Sequence, residues 1–465
     1  MPNGETPGAF VSGPLRLHDA ALFTDLYELT MAAVYFRRRM LQPATFSLFV
    51  RRLPPERRFL IAAGLEDVLE FLRTFRFADQ SIARLRALGR FQDDFLDFLG
   101  TLRFTGEIWA VPEGTALFAD EPMLEVTAPM VEAQIVETAV INFCHCQTLI
   151  ASKAARSVIA ARGRPIAEFG LRRTPGTDAG LKSARSAFIA GCDLTSNVLA
   201  GSEYTIPLTG TMAHSFVTAF PREEDAFDAF AESFPDSTVL LLDSYDTVAA
   251  AHKAVAVARR LAAKGHRLAG VRLDSGDLAT LAGKVRQVLD AATFSEVQIF
   301  VSGGLDELAV EQLLAAGAPI DAFGIGTRMN VSADVPSLDM VYKLVEHAGR
   351  DVLKLSEGKE TWVGAKALYR TRRADGRFGG DVVALRDEPA PDGLIESLLQ
   401  PVMRAGNLLR PHPSLREIRD RCAAEIAALP EPLKQLRGAG EYRVQISEAL
   451  RTRQEKARNA VSSEQ

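Results

Sequence analysis

The chain has 465 residues, room for two to three domains at about 150 residues each. Hydrophobic residues make up 47% and charged residues 24%, a globular balance that excludes a disordered or fibrous chain. Lys and Arg number 54 against 59 Asp and Glu, so the net charge is −5; that argues against sequence-independent nucleic-acid binding and leaves small anionic substrates open. Four Cys in this length do not form a disulfide framework. No apolar run approaches the ~18 residues of a membrane span, and the first segment has no basic region followed by an apolar one. The expectation is a soluble, cytoplasmic enzyme of several domains, with no membrane or nucleic-acid partner.

In chain order, residues 1–16 read as a mobile tail rich in Gly and Pro. Apolar positions recur at helical spacing from Leu22 to Arg39, with Thr24 as the expected N-cap. A strand is expected over 44–50, helix over 61–99, and short strands over 101–128 with turns at Pro112–Gly114 and Glu121–Pro122. These make a first α+β domain, 17–131. A single long helix is expected from Glu132 to Arg162. Cys144 and Cys146 fall in it at a spacing that points them apart, so they read as packing residues.

The middle region, 132–349, alternates strand and helix. Strands are expected at 238–242, 268–273, 297–301 and 320–325, with helices at 247–264, 278–290 and 306–316 between them. Four such units in a row imply a parallel α/β sheet with right-handed crossovers. The pattern alone leaves a barrel and a doubly wound sheet both open. From 350 to 465 the expectation is a mixed segment, with turns at Asp375–Gly376 and Gly379–Gly380. Three helical stretches follow it and pack on the rest, the last fifteen or so residues forming a frayed helix.

Ligands of parallel α/β folds bind at the carboxyl ends of the strands. Each expected strand there ends in polar or Gly-rich residues: Asp243-Ser244, Asp274-Ser275-Gly276-Asp277, Ser302-Gly303-Gly304 and Gly324-Ile325-Gly326-Thr327. Two Gly-rich loops on successive strands suit a phosphate, because backbone N–H groups can approach an anion closely. Asp274 and Asp277 suit a metal-bound sugar phosphate or positive charge developing on a sugar carbon, while Asp274 or Ser275 also suits capping of the next helix. Arg172 and Arg173 follow a further strand end at Glu168-Phe169-Gly170, and Arg is the side chain for a carboxylate or phosphate. His214 is one of only 7 His. It sits in Gly210-Thr211-Met212-Ala213-His214-Ser215, and no Cys or His spacing there fits zinc.

Taken together with Thr24-Asp25-Leu26-Tyr27, Thr30-Met31, Asn197-Val198-Leu199-Ala200-Gly201 and Pro413-Ser414-Leu415, these segments resemble the nicotinate phosphoribosyltransferase family, in order and over nearly the whole chain. The resemblance implies an irregular α/β barrel of the type II phosphoribosyltransferase kind, an N-terminal α+β domain and a mostly helical C-terminal extension. It implies a homodimer with active sites at the subunit interface. The implied reaction joins nicotinate to 5-phosphoribosyl 1-pyrophosphate, giving nicotinate mononucleotide and pyrophosphate for NAD biosynthesis. ATP is its co-substrate and Mg²⁺ accompanies the phosphates. It further implies phosphorylation of His214 and catalysis by His214 and Asp274. Nicotinate would stack between Phe169 and Tyr27 of the partner subunit, its carboxylate on Arg172 or Arg272 beside the Thr211 hydroxyl. Asp277, Ser302, Gly303, Gly304, Gly326 and Thr327 would hold the phosphoribosyl pyrophosphate, with Mg²⁺ near Asp274 and Asp277. Ser196-Asn197 lacks the acid that amide-using relatives carry, which disfavours nicotinamide. The 210–215 segment disfavours quinolinate. A non-catalytic metabolite-binding protein on the same scaffold is the reading from a different class.

Overall fold

The computed structural model of the chain describes residues 17–355, 360–391, 395–438 and 440–464. The tail expected at 1–16 lies outside them. The chain divides into two compact units. One combines the segments up to Ser152 and from Val335 onward, and the other is Lys153–Asp334.

The first unit is built on a seven-stranded sheet in which Pro43–Val50 is an interior strand, third in the order. Every residue of that strand after Pro43 is buried. Its apolar run is therefore continuous rather than alternating, as suits a strand covered on both faces. It pairs antiparallel with Leu124–Pro129 on one side and Met340–His347 on the other. Phe46 and Tyr342 stack across the second pairing at 4.7 Å. The strands Met340–His347 and Gln400–Arg404 thus share one sheet with the N-terminal strands.

Where the spacing predicts helix throughout 61–99, three helices form: Leu65–Thr74, Asp79–Ala87 and Asp93–Thr101. The apolar period runs through the first break because Phe75 and Phe77, between helices, are themselves buried. The stretch expected as one helix from Glu132 is two, Met130–Ile135 and Glu137–Ala161. Thr24 is not the cap of the first helix, Leu26–Arg37. Asp25 occupies that position, and the Thr24 hydroxyl donates to the Ile135 carbonyl at 3.1 Å.

The C-terminal region is mixed, not mostly helical. A four-stranded sheet places Lys366–Arg372 and Phe378–Leu385 between Ile395–Ser397 and Val444–Ile446. Asp375–Gly376 makes the expected turn, but Gly379 and Gly380 lie within the second strand. Helices follow at Leu415–Ala428, Glu431–Lys434 and Glu448–Glu464. Ser414 and Glu417 form a reciprocal capping box at the start of the first of these. Arg370 is fully buried and binds both Asp381 and Glu425 at 2.6 Å. Its guanidinium also lies 4.1 Å from the centre of the Phe378 ring.

The second unit holds a six-stranded sheet in the order Leu194–Thr195, Ile166–Glu168, Ala322–Ile325, Gln298–Val301, Gly270–Leu273, Val239–Leu241. Every pairing is parallel, so the unit is α/β as expected. The ladder is open among the described residues: it runs from one edge strand to the other without a closing pair. Helices Thr247–Ala263, Leu278–Ala291 and Glu307–Ala315 make the crossovers. Each begins on an Asp, at 246, 277 and 306, whose carboxylate accepts the N–H three residues on. All six strands therefore end on the same side. No helix among the described residues is long and apolar enough to cross a membrane.

Candidate active site

The carboxyl ends of the second unit's strands open on a cavity of about 450 Å³. Phe169, Arg172 and Arg173 reach it from the strand ending at Glu168, and Ser196 from the strand ending at Thr195. Arg272 and Asp274 come from the next, Ser302, Gly303 and Gly304 from the next, and Gly326 and Thr327 from the last. The backbone of 210–213 completes the wall.

Two of the strand ends supply cationic and aromatic wall. Arg272 is the penultimate residue of a strand whose other residues are buried, and its own side chain is only 13% exposed. It donates through Nη1 to the Thr211 hydroxyl and to the Met212 carbonyl at 3.1 Å. Asp274 Oδ1 lies 3.7 Å from Nη2, and Nε has no hydrogen-bond partner although buried. Burial pushes the guanidinium below its usual range, opposed by Asp274 and Asp243 and reinforced by Arg172. A buried cation with an unused N–H in a cavity wall is prepared for an anion. Arg172 is exposed at the rim, and the Phe169 ring is tilted against Phe300 at 5.7 Å.

The two strand ends that lie between those of Phe169 and Arg272 supply glycine. Gly303 has φ +93°, and a Cβ there would sit 1.7 Å from the Asp274 carbonyl oxygen. No other residue fits, so Gly303 and Gly304 present backbone to the cavity beside Asp274. The Ser302 hydroxyl donates to Asp274 Oδ1 at 2.5 Å and fixes that carboxylate beside the glycines.

Behind Asp274 stands Asp243, whose side chain is 3% exposed. Its Oδ2 accepts the Asp274 N–H at 3.2 Å and the Ser275 hydroxyl at 2.6 Å. Its Oδ1 has no hydrogen bond but faces His214 Nε2 at 3.3 Å. His214 opens the short helix His214–Thr218, next to the lining residues 210–213 but not itself lining the cavity.

Besides His214, two expected residues are absent from the wall. Asp277 is exposed and accepts the Thr280 N–H as the cap of its helix; the Thr280 side chain, then this N–H, hold its carboxyl below the usual range. The capping expected of Asp274 or Ser275 thus falls to Asp277, and Asp274 remains for the cavity. Tyr27 belongs to the first unit, 49% exposed on the helix Leu26–Arg37, and is not among the cavity-lining residues. Among the described residues no three His, Cys, Asp or Glu side chains group to hold a metal ion.

Sequence reasoning missed the part played by Asp243, whose position after an apolar run is the only signal for it. It also missed Asn330, which has no signal in its neighbours. Asn330 reaches Glu168 at 2.8 Å across 162 residues of chain.

Residues 22–145 match the family model of the nicotinate phosphoribosyltransferase N-terminal domain, 165–373 that of the nicotinate phosphoribosyltransferase family, and 394–454 that of the C-terminal domain. A nicotinate phosphoribosyltransferase of Mycobacterium tuberculosis is 48% identical over 440 residues, covering 94% of this chain and 93% of that protein. One of Bacillus subtilis is 37% identical over 459 residues, covering 92% and 93%. The crystal structure of human nicotinic acid phosphoribosyltransferase superposes with a TM-score of 0.84 at 31% identity, covering 93% of this chain and 99% of that one.

Proposed function

The chain belongs to the nicotinate phosphoribosyltransferase family, and from that premise we propose that its strand-end cavity joins nicotinate to 5-phosphoribosyl 1-pyrophosphate, assisted by ATP through His214. The observation that carries this reading is the polarity of the cavity. Arg272, with an unused buried N–H, adjoins Gly-rich loops at the neighbouring strand ends, and one oriented carboxylate, Asp274, stands beside them.

Nicotinate is a flat aromatic carboxylate. Its carboxylate pairs with Arg272 beside Thr211, with Arg172 closing from the rim. Its ring lies against Phe169. The N–H groups of Gly303, Gly304, Gly326 and Thr327 hold the phosphate of the sugar. As the bond from the ribose anomeric carbon to pyrophosphate breaks, positive charge grows on that carbon. Asp274, already oriented by Ser302, stabilises it. The nicotinate nitrogen lone pair then forms the new bond, and pyrophosphate leaves with its Mg²⁺. Ser196 is an uncharged wall residue with no acid to hold an amide N–H, which supports nicotinate over nicotinamide.

Asp243 Oδ1 opposite Nε2 fixes the proton of His214 there and leaves the Nδ1 lone pair to take the γ-phosphoryl group of ATP, with ADP leaving. Hydrolysis of that phosphohistidine during turnover supplies the coupling. The product is a pyridine mononucleotide, which places the enzyme in NAD biosynthesis from nicotinate. The four Cys are all free thiols, which supports a reducing, cytoplasmic setting. The homodimer is supported by the helix Leu26–Arg37, where Leu26, Tyr27 and Val34 are 42%, 49% and 57% exposed. Such a face suits a second copy of the chain that receives Tyr27 of the partner subunit over nicotinate. Calorimetric titration with nicotinate, nicotinamide and quinolinate tests the substrate assignment. Nicotinate binds at least about tenfold more tightly than either rival, one lost charged hydrogen bond being worth that much. Equal or weaker binding of nicotinate contradicts the assignment.

A further inference from the structure

We propose that Glu168 is a positioning residue that makes the base-side loop 169–174 and the phosphate-side loop 326–330 move as one piece, so that nicotinate and a sugar 5-phosphate bind cooperatively. The proposal rests on the function assigned above and adds to it a coupling between the two halves of the site.

Glu168 ends its strand with a side chain that is 1% exposed. It touches no substrate position and is absent from the cavity wall. Its Oε1 accepts the Gly170 N–H at 2.5 Å and Asn330 Nδ2 at 2.8 Å, and its Oε2 accepts the Thr195 hydroxyl at 2.7 Å. One carboxylate therefore holds donors from three segments. Each segment supplies cavity wall: Phe169 and Arg172 from the first, Gly326 and Thr327 beside Asn330, and Ser196 after Thr195. A carboxylate offers about four acceptor positions, which no neutral side chain of that size does.

The two loops are also joined by direct contact. Asn330 Nδ2 donates to Thr174 Oγ1 at 2.9 Å, and Thr174 Oγ1 donates to the Gly170 carbonyl at 3.0 Å. The Asn330 N–H binds the Gly326 carbonyl at 3.0 Å, so the side chain reports on the loop that precedes it. Gly170 has no slack, because a Cβ there would lie 2.2 Å from Asn330 Cγ. A shift of either loop moves the other. Ordering one loop around its ligand then orders the second, and the second ligand binds to an already ordered wall.

The test is calorimetric titration of the full chain with nicotinate, alone and with saturating ribose 5-phosphate, and the reverse titration. In the wild type, ribose 5-phosphate tightens nicotinate about fivefold, and nicotinate tightens ribose 5-phosphate by the same factor. In Asn330→Ala both ligands still bind, but each ratio falls below about twofold, the loss of a reciprocal coupling. Thr174→Val removes the other link between the loops without touching Glu168 and lowers the ratio in the same direction; it carries the test if Asn330→Ala does not fold. A wild-type ratio of one, or a ratio unchanged in both variants, overturns the proposal while nicotinate binding itself leaves the assigned function standing. Absence of nicotinate binding to the wild type under either condition overturns both.

Discussion

Asp243 Oδ1 faces His214 Nε2 at 3.3 Å, and no hydrogen bond reaches that oxygen although its side chain is 3% exposed. A buried acceptor with one open position beside a half-exposed imidazole is the arrangement that fixes a tautomer. His214→Asn therefore abolishes ATP hydrolysis and the ATP stimulation of product formation while leaving slow ATP-independent transfer. Asp243→Asn keeps the nucleophile but loses its orientation, lowering ATP hydrolysis by at least about tenfold, the scale of one charged hydrogen bond. Incubation with γ-labelled ATP leaves acid-labile, base-stable label on the wild type and none on His214→Asn. Equal labelling of that variant places the phosphoryl group on another residue.

Arg272 carries the nicotinate carboxylate in this account. Arg272→Lys keeps the charge but loses the planar fork that reaches Thr211, Met212 and the ligand together. Nicotinate binding weakens by about 1.5–3 kcal/mol. Steady-state kinetics show it as a raised KM for nicotinate with little change in that for phosphoribosyl pyrophosphate. If only thermal stability falls, Arg272 serves as an ion-pair partner of Asp274 and not as a substrate ligand.

The shared site of the homodimer is open to complementation. Tyr27→Ala and Asp274→Ala are each inactive. Mixed dimers of the two recover part of the activity if each site takes Tyr27 from one chain and Asp274 from the other. No recovery in verified mixed dimers assigns Tyr27 to its own subunit or to no site.

Glu28 and Glu137 share one amide: Gln134 Nε2 donates to the first at 2.6 Å and to the second at 3.1 Å. Burial, then the Glu28 charge, raises Glu137 from 4.5 to about 7, with Lys343 opposing. A carboxyl whose folded pKa lies above its unfolded value binds its proton more tightly in the folded state. Its contribution is most favourable below the unfolded value and is lost as pH rises from about 4.5 to about 7. Glu137→Gln removes this loss, roughly 3 kcal/mol at the alkaline side of that window. Urea unfolding at pH 5 and pH 8 measures it. The variant gains stability relative to wild type at the higher pH, and an identical pH dependence contradicts the assignment.

The α/β character of the second unit was legible because its strands are short buried runs closed by turns, with an Asp opening the helix that follows three of them. The cavity-lining glycines and Arg272 were legible for the same reason: strand ends are where such a fold binds ligands. The mostly helical expectation for the C-terminal region failed where strand pairing decides structure. The short strands Val444–Ile446 and Ile395–Ser397 exist by pairing with partners distant in sequence, and three residues carry too little period to announce them. Asp243 and Asn330 were missed on similar grounds. Their roles are set by His214, Glu168 and Thr174, which only the folded chain brings within reach.

The most direct test of the account is product formation by the purified chain from nicotinate and 5-phosphoribosyl 1-pyrophosphate, with and without ATP and with nicotinamide as the control. The account predicts nicotinate mononucleotide and pyrophosphate in equal amounts, stimulated by ATP, and no comparable product from nicotinamide. Absence of nicotinate mononucleotide under both conditions, or an equal yield from nicotinamide, contradicts it.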